Sequence, residues 1–207
     1  MTTIYLIRHS ECLDQNYLNF LDDTDEFEKN KKIPLSTNGE KKAQDISKLK
    51  ELTNIDAIFS STYQRAISTA KYIAEKNKIV LNITPNLNER KLGSVTYKEF
   101  WLEQLYDENL RAEDGECRRE VTYRMANMVN YALNQYRNKR VVFVTHGAAM
   151  KFLLMNYCTL KKADLERKSV CLVFNKRIII NDKFNTPEIF KLEFEDGVIK
   201  EIELLRQ

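Results

Sequence analysis

The chain has 207 residues, 43% of them hydrophobic and 30% charged, the composition of one folded domain (1–207) with a single core and not of a disordered tail. Its 33 Lys plus Arg are scattered against 30 Asp plus Glu, so binding to nucleic acid or to an anionic membrane has no support. No apolar run is long enough to span a bilayer, and MTTIYLIRHS lacks the basic and apolar regions of a secretion signal, so a soluble cytoplasmic protein is expected.

Residues 3–7 (TIYLI), rich in β-branched and aromatic side chains and too short for a helix, predict a first strand ending at Arg8-His9. The polar stretch 17–32 reads as a solvated loop or a short helix. Thr37 and Glu40 have the spacing of a capping box, after which Ala43, Ile46, Leu49 and Leu52 recur at near-helical intervals. Residues 56–60 (DAIFS) predict a second strand; Ala66, Ala70, Ile73 and Ala74 then form the buried stripe of a helix with Arg65 near its start. Residues 78–83 (KIVLNI) predict a third strand, closed by Pro85 and a polar loop that carries Glu89.

A helix is expected over 96–109, and a longer one over 118–136, where Val121, Met125, Met128, Val129, Ala132, Leu133 and Tyr136 give an unbroken apolar face. Residues 140–145 (RVVFVT) are apolar on both faces, as a strand inside a parallel sheet is, and His146-Gly147 follows at once, before a helix over 148–157. The tail turns to strands, including a hairpin whose Asp196-Gly197 turn separates Phe190, Leu192 and Phe194 from Ile202 and Leu204. The cysteines Cys12, Cys117, Cys158 and Cys171 form no CxxC pair and read as reduced thiols. With only two histidines in the chain, neither a metal nor another cofactor is expected.

Strands alternating with helices predict an α/β fold: a three-layer sandwich with a mostly parallel central sheet, helices on both faces and a C-terminal β extension. Ligands of such sheets bind beyond the carboxyl ends of the strands. Arg8, His9, Arg65, Glu89 and His146 all follow predicted strands and are expected to converge there.

Their chemistry suits a phosphate monoester. Attack on this dianion without a metal needs fixed positive donors, which Arg8, Arg65 and a protonated His146 supply; a planar guanidinium pairs with phosphate oxygens and stays charged. His9 is the nucleophile if a backbone carbonyl holds one ring nitrogen and leaves the other bare. Glu89, its pKa raised by burial or by the substrate's charge, is the candidate to protonate the leaving oxygen and later to activate water. Backbone N–H groups where Gly147 opens a helix are expected to add anion binding.

The segments LIRHSEC, PLSTNGEKKAQ, SSTYQRAISTA, LNERKLG, GECRREVTYR and VVFVTHGAA, spanning about residues 4 to 150, together resemble the histidine phosphatase (phosphoglycerate mutase-like) superfamily. The resemblance implies a phosphohistidine on His9, a phosphate pocket of Arg8, Arg65 and His146, Glu89 as proton donor, and a phosphate-contacting Asn that is either Asn16 or replaced by Gln15. Ser10 stands where the family commonly has glycine and Cys12 where it commonly has a hydroxyl; Ser94-Val95-Thr96 replaces its frequent Trp-Glu-Gly.

The expected activity is therefore metal-independent hydrolysis of a small phosphorylated metabolite. Two other readings compete: phosphoglycerate mutase-type transfer, for which the long mutase signature after the first motif is not recognisable, and a catalytically weakened phosphate-binding regulatory module. The sequence names neither the substrate nor the oligomeric state.

Overall fold

A computed structural model describes residues 1–14, 26–95 and 99–205. Its middle layer is a six-stranded sheet made from β1 (Thr2–Arg8), β2 (Ala57–Ser60), β3 (Leu81–Ile83), β4 (Arg140–Thr145), β8 (Glu188–Glu195) and β9 (Val198–Leu205), in the order β3-β2-β4-β1-β8-β9. The first four are mutually parallel, and the β8–β9 hairpin joins antiparallel at β1. The expected C-terminal extension thus continues the main sheet.

Side chains alternate across this sheet with the period of two that a pleated strand imposes. Ile4, Leu6, Val141 and Phe143 pack on one face with α5 (Arg118–Gln135) and α6 (Gly147–Met155). Tyr5, Ile7, Val142 and Val144 pack on the other with α2 (Thr37–Ser47) and α3 (Gln64–Asn77). Two short helices, α1 (Glu26–Lys31) and α4 (Phe100–Tyr106), lie in the connections. A second, antiparallel sheet of β5 (Thr159–Asp164), β6 (Ser169–Phe174) and β7 (Arg177–Asp182) packs on the α5/α6 side through Val170, Leu172 and Ile180. No helix among the described residues is long and apolar enough to cross a membrane.

Several boundaries differ from expectation. Ser36, not Thr37, caps α2: its Oγ accepts from the Gly39 N–H at 2.9 Å, so Thr37 is already helical. α2 stops at Ser47, and Leu52 is buried from a separate 3-10 turn. The third strand is only three residues long, because Lys78 takes a left-handed φ of 56° to close α3. The helix expected over 96–109 is confined to Phe100–Tyr106, with 96–98 outside the described residues. The helix after His146 runs Gly147–Met155. The expected hairpin forms, with the register Phe190↔Leu204 and Leu192↔Ile202, and Asp196 and Gly197 both have positive φ, as a type I′ turn requires.

Candidate active site

Parallel pairing of β1 with β4 sets Arg8 opposite Thr145, so His9 and His146 leave the sheet side by side. The His9 N–H donates to the Thr145 carbonyl at 2.9 Å, and the two imidazole rings stand 5.1 Å apart, centre to centre. Both are buried.

His9 Nδ1 lies 2.7 Å from the Ser10 carbonyl, an acceptor only, so Nδ1 carries the proton and Nε2 keeps its lone pair. The Arg65 Nε–H points at that Nε2 from 3.2 Å. Burial, and with it the charges of Arg65 and Arg8, hold His9 well below its ordinary pKa against the pull of the Ser10 carbonyl, so the ring is neutral at pH 7. Ser10, in place of the common glycine, is accommodated without positive φ: its Oγ donates to the Gly39 carbonyl and its N–H to Thr69 Oγ1. Gly39 is the residue with no room here, since a Cβ on it would fall 1.8 Å from the Glu11 carbonyl oxygen.

His146 Nε2 shares a 2.7 Å hydrogen bond with Ser61 Oγ at the end of β2, while the buried Nδ1 has no partner among the described residues. Burial, then Arg65, Arg124 and Arg8, keep its pKa well below the ordinary value. Without a bound anion, burial and these three guanidinium groups favour a neutral ring, so the protonated His146 expected for phosphate binding depends on the charge that a phosphate brings. Arg8 Nη1 donates to the carbonyls of Phe184 and Asn185, in the loop before β8, and its buried Nε is unpartnered among the described residues.

Glu89 also departs from expectation. Its Oε1 accepts from the N–H groups of Arg90 (2.8 Å) and Ala149 (3.0 Å), and its Oε2 from that of Ala148 (3.1 Å). Burial pushes the carboxyl up, but these N–H groups and the Arg90 guanidinium more than offset it, and the pKa lies below its ordinary value. Two of the helix-end donors beside Gly147, the N–H groups of Ala148 and Ala149, are therefore taken by Glu89 itself. Gly147 has a different role: a Cβ there would stand 3.2 Å from Arg8 Nε, so glycine lets the guanidinium lie against the helix start.

The structure thus brings Arg8, His9, Arg65, Glu89, His146 and Gly147 to one end of the sheet. Asn16 and its alternative Gln15 lie outside the described residues, as do residues 17–25 of the polar stretch; its last turn, α1, is helical. From α1 the Asn30 carbonyl and Oδ1 accept from Arg65 Nη1 at 2.6 and 3.3 Å. Two more residues escaped the sequence reading. Arg124 on α5 pairs with Glu116 and donates to the carbonyls of Asn86, Asn88 and Glu89, clamping the loop that carries Glu89; the GECRREVTYR segment contained it without indicating that task. Lys151, one turn into α6, lies in a cavity of about 540 Å³ shared with Arg8, Glu89 and Gly147, and nothing in an apolar helix sequence distinguishes it from a surface lysine. Among the described residues, no group of three or more His, Cys, Asp or Glu side chains is arranged to hold a metal.

An α/β sheet with two histidines and two arginines at adjoining strand ends defines a class of phosphoryl-handling proteins, and the chain belongs to the histidine phosphatase superfamily (branch 1), whose model matches residues 4–178. It is 28% identical over 179 residues, 81% of this chain and 80% of the other, to the probable phosphoglycerate mutase GpmB of Erwinia tasmaniensis. Among solved structures it resembles a phosphoserine phosphatase of Entamoeba histolytica in complex with phosphoserine, with TM-score 0.65, 22% identity and 98% and 97% of the two chains covered. A mycobacterial glucosyl-3-phosphoglycerate phosphatase gives TM-score 0.67 at 19% identity over 98% and 96% of the chains. These similarities establish the fold and a phosphoryl-handling family.

Proposed function

We propose that this protein hydrolyses a small phosphate monoester, without a metal, through a phosphohistidine on His9. One observation carries the reading: the unprotonated Nε2 of a neutral His9, which accepts only the long 3.2 Å bond from Arg65 Nε–H, sits beside His146, with the buried Arg8 Nε and His146 Nδ1 lacking protein partners among the described residues. A phosphate is the ligand whose oxygens satisfy such nitrogens while phosphorus faces the lone pair.

His9 Nε2 attacks phosphorus, the P–N bond forms, and the P–O bond to the leaving group breaks as that oxygen takes a proton from Glu89. Glu89 then removes a proton from water, whose oxygen displaces His9 and releases inorganic phosphate. The protein's own field keeps Glu89 ionised, so the substrate dianion is what raises its pKa enough to load the proton; the same charge raises that of His146. Phosphatases among the structural neighbours support hydrolysis. The mutase name of the bacterial relatives supports a second reading, in which phosphohistidine passes its group to another hydroxyl.

Rapid acid or base quench with a radiolabelled ester tests this. An acid-labile, base-stable protein adduct is expected, lost in His9→Ala along with at least about 10³-fold of the turnover. Label that persists on the His9→Ala protein excludes His9 as the nucleophile; label that reappears in an isomeric ester instead of inorganic phosphate favours the mutase.

A further inference from the structure

The buried ammonium of Lys151, in the site cavity, has no counter-ion among the described residues. Lys151 is only 6% exposed, with Nζ 4.6 Å from the ring centre of Trp101 and 5.2 Å from that of Phe184. Among the described residues it makes no ion pair and no hydrogen bond. The same cavity is lined by five further basic residues, Arg8, Arg90, Arg167, Lys168 and Lys183, against two carboxylates, Glu89 and Glu166. Glu89 is already held by the N–H groups of Arg90, Ala148 and Ala149.

A buried charge without a hydrogen-bonded partner is unfavourable, and it is relieved either by loss of its proton or by a partner of opposite charge that arrives from outside. Burial holds the Lys151 pKa down to about 8; Glu89 draws it back up, and Arg8, Arg90 and Lys168 press it lower. The ammonium still predominates at pH 7. Arg8, Glu89 and Gly147 of the phosphate-binding end line the same cavity as Lys151.

We propose that Lys151, between Trp101 and Phe184, is the subsite for a second anionic group, a carboxylate or a phosphate, on the leaving group of the substrate. The inference rests on the phosphate-site reading above and names the substrate class: esters whose alcohol portion is itself negatively charged. The two rings cover Nζ against water, which strengthens its attraction for an anion.

Calorimetric titration at pH 7 with 3-phosphoglycerate, propane-1,3-diol bisphosphate and glycerol 3-phosphate tests it. At least one of the first two is expected to bind roughly tenfold or more tightly than the third, the scale of one hydrogen bond between charged groups. Which one is preferred identifies the anion. In Lys151→Met, which keeps the packing volume between the rings, that preference should fall to within about threefold of unity, and Lys151→Arg should restore part of it. Equal or undetectable binding of all three by the wild type, or a preference that survives in Lys151→Met, overturns the subsite and leaves Lys151 as a packed stem. Phosphate release from the same esters is scored separately: the expected binding pattern without release refutes the phosphatase and keeps the subsite.

Discussion

At the scale of single residues, the proposed mechanism gives Glu89 two tasks that are seldom compatible. As a carboxylate it caps α6 through Ala148 and Ala149, and as a proton donor it must become neutral in the presence of substrate. Glu89→Gln separates the two. Its amide nitrogen faces an N–H it cannot accept from, so unfolding in urea should show a loss of about 1–2 kcal/mol. Turnover of alkyl phosphates should fall about 10²–10³-fold, whereas 4-nitrophenyl phosphate, whose leaving group needs no proton, should lose less than about tenfold. Equal losses for the two esters remove the proton-donor role and leave only the cap.

At the scale of elements, the loop carrying Glu89 has little regular structure and is fixed by α5. The Arg124 guanidinium bridges Glu116 and three loop carbonyls, and Glu116 also accepts from the Lys91 N–H. Arg124→Met leaves Glu116 without its cation and the carbonyls without donors, and should cost about 2–4 kcal/mol in unfolding measurements. If the guanidinium acts through Glu89 as proton donor, kcat for alkyl esters should drop more than kcat for nitrophenyl phosphate; uniform loss across esters means that Arg124 supports the fold alone. The α5 stripe from Val121 to Ala132 was readable from spacing because helical periodicity is local in sequence. The Arg124 clamp was not, since its partners in the loop lie 35–38 residues away. For the same reason the β5–β7 sheet and the loop before β8, which supplies Phe184 and Asn185 to Arg8, had no motif to announce them.

At the scale of the whole molecule, both histidines of the chain are buried and neutral, and this gives folding a pH dependence of known sign. In the unfolded chain each ring binds a proton near its ordinary value of 6.5, whereas in the folded protein both values are well below it. The unfolded state therefore holds more protons in the window below 6.5, and stability must fall as pH drops through it, by up to about 1.4 kcal/mol per pH unit for each ring. Glu89, depressed from its ordinary 4.5, adds to the loss only at lower pH. Urea unfolding between pH 7.5 and 5.5 measures this; a flat profile means that at least one imidazole is charged in the native state. The amino-acid sequence by itself determined which residues reach the ends of the parallel strands, because the alternation of strand and helix and the identity of Arg8, His9, Arg65 and His146 are properties of the chain order. Only the tertiary structure decided their ionisation: the neutrality of His146, the ionised Glu89 at the start of α6, and a Lys151 without an ion pair among the described residues. Those depend on burial and on charges facing across space, and neighbours such as Glu89 and Ala148 stand 59 positions apart along the chain.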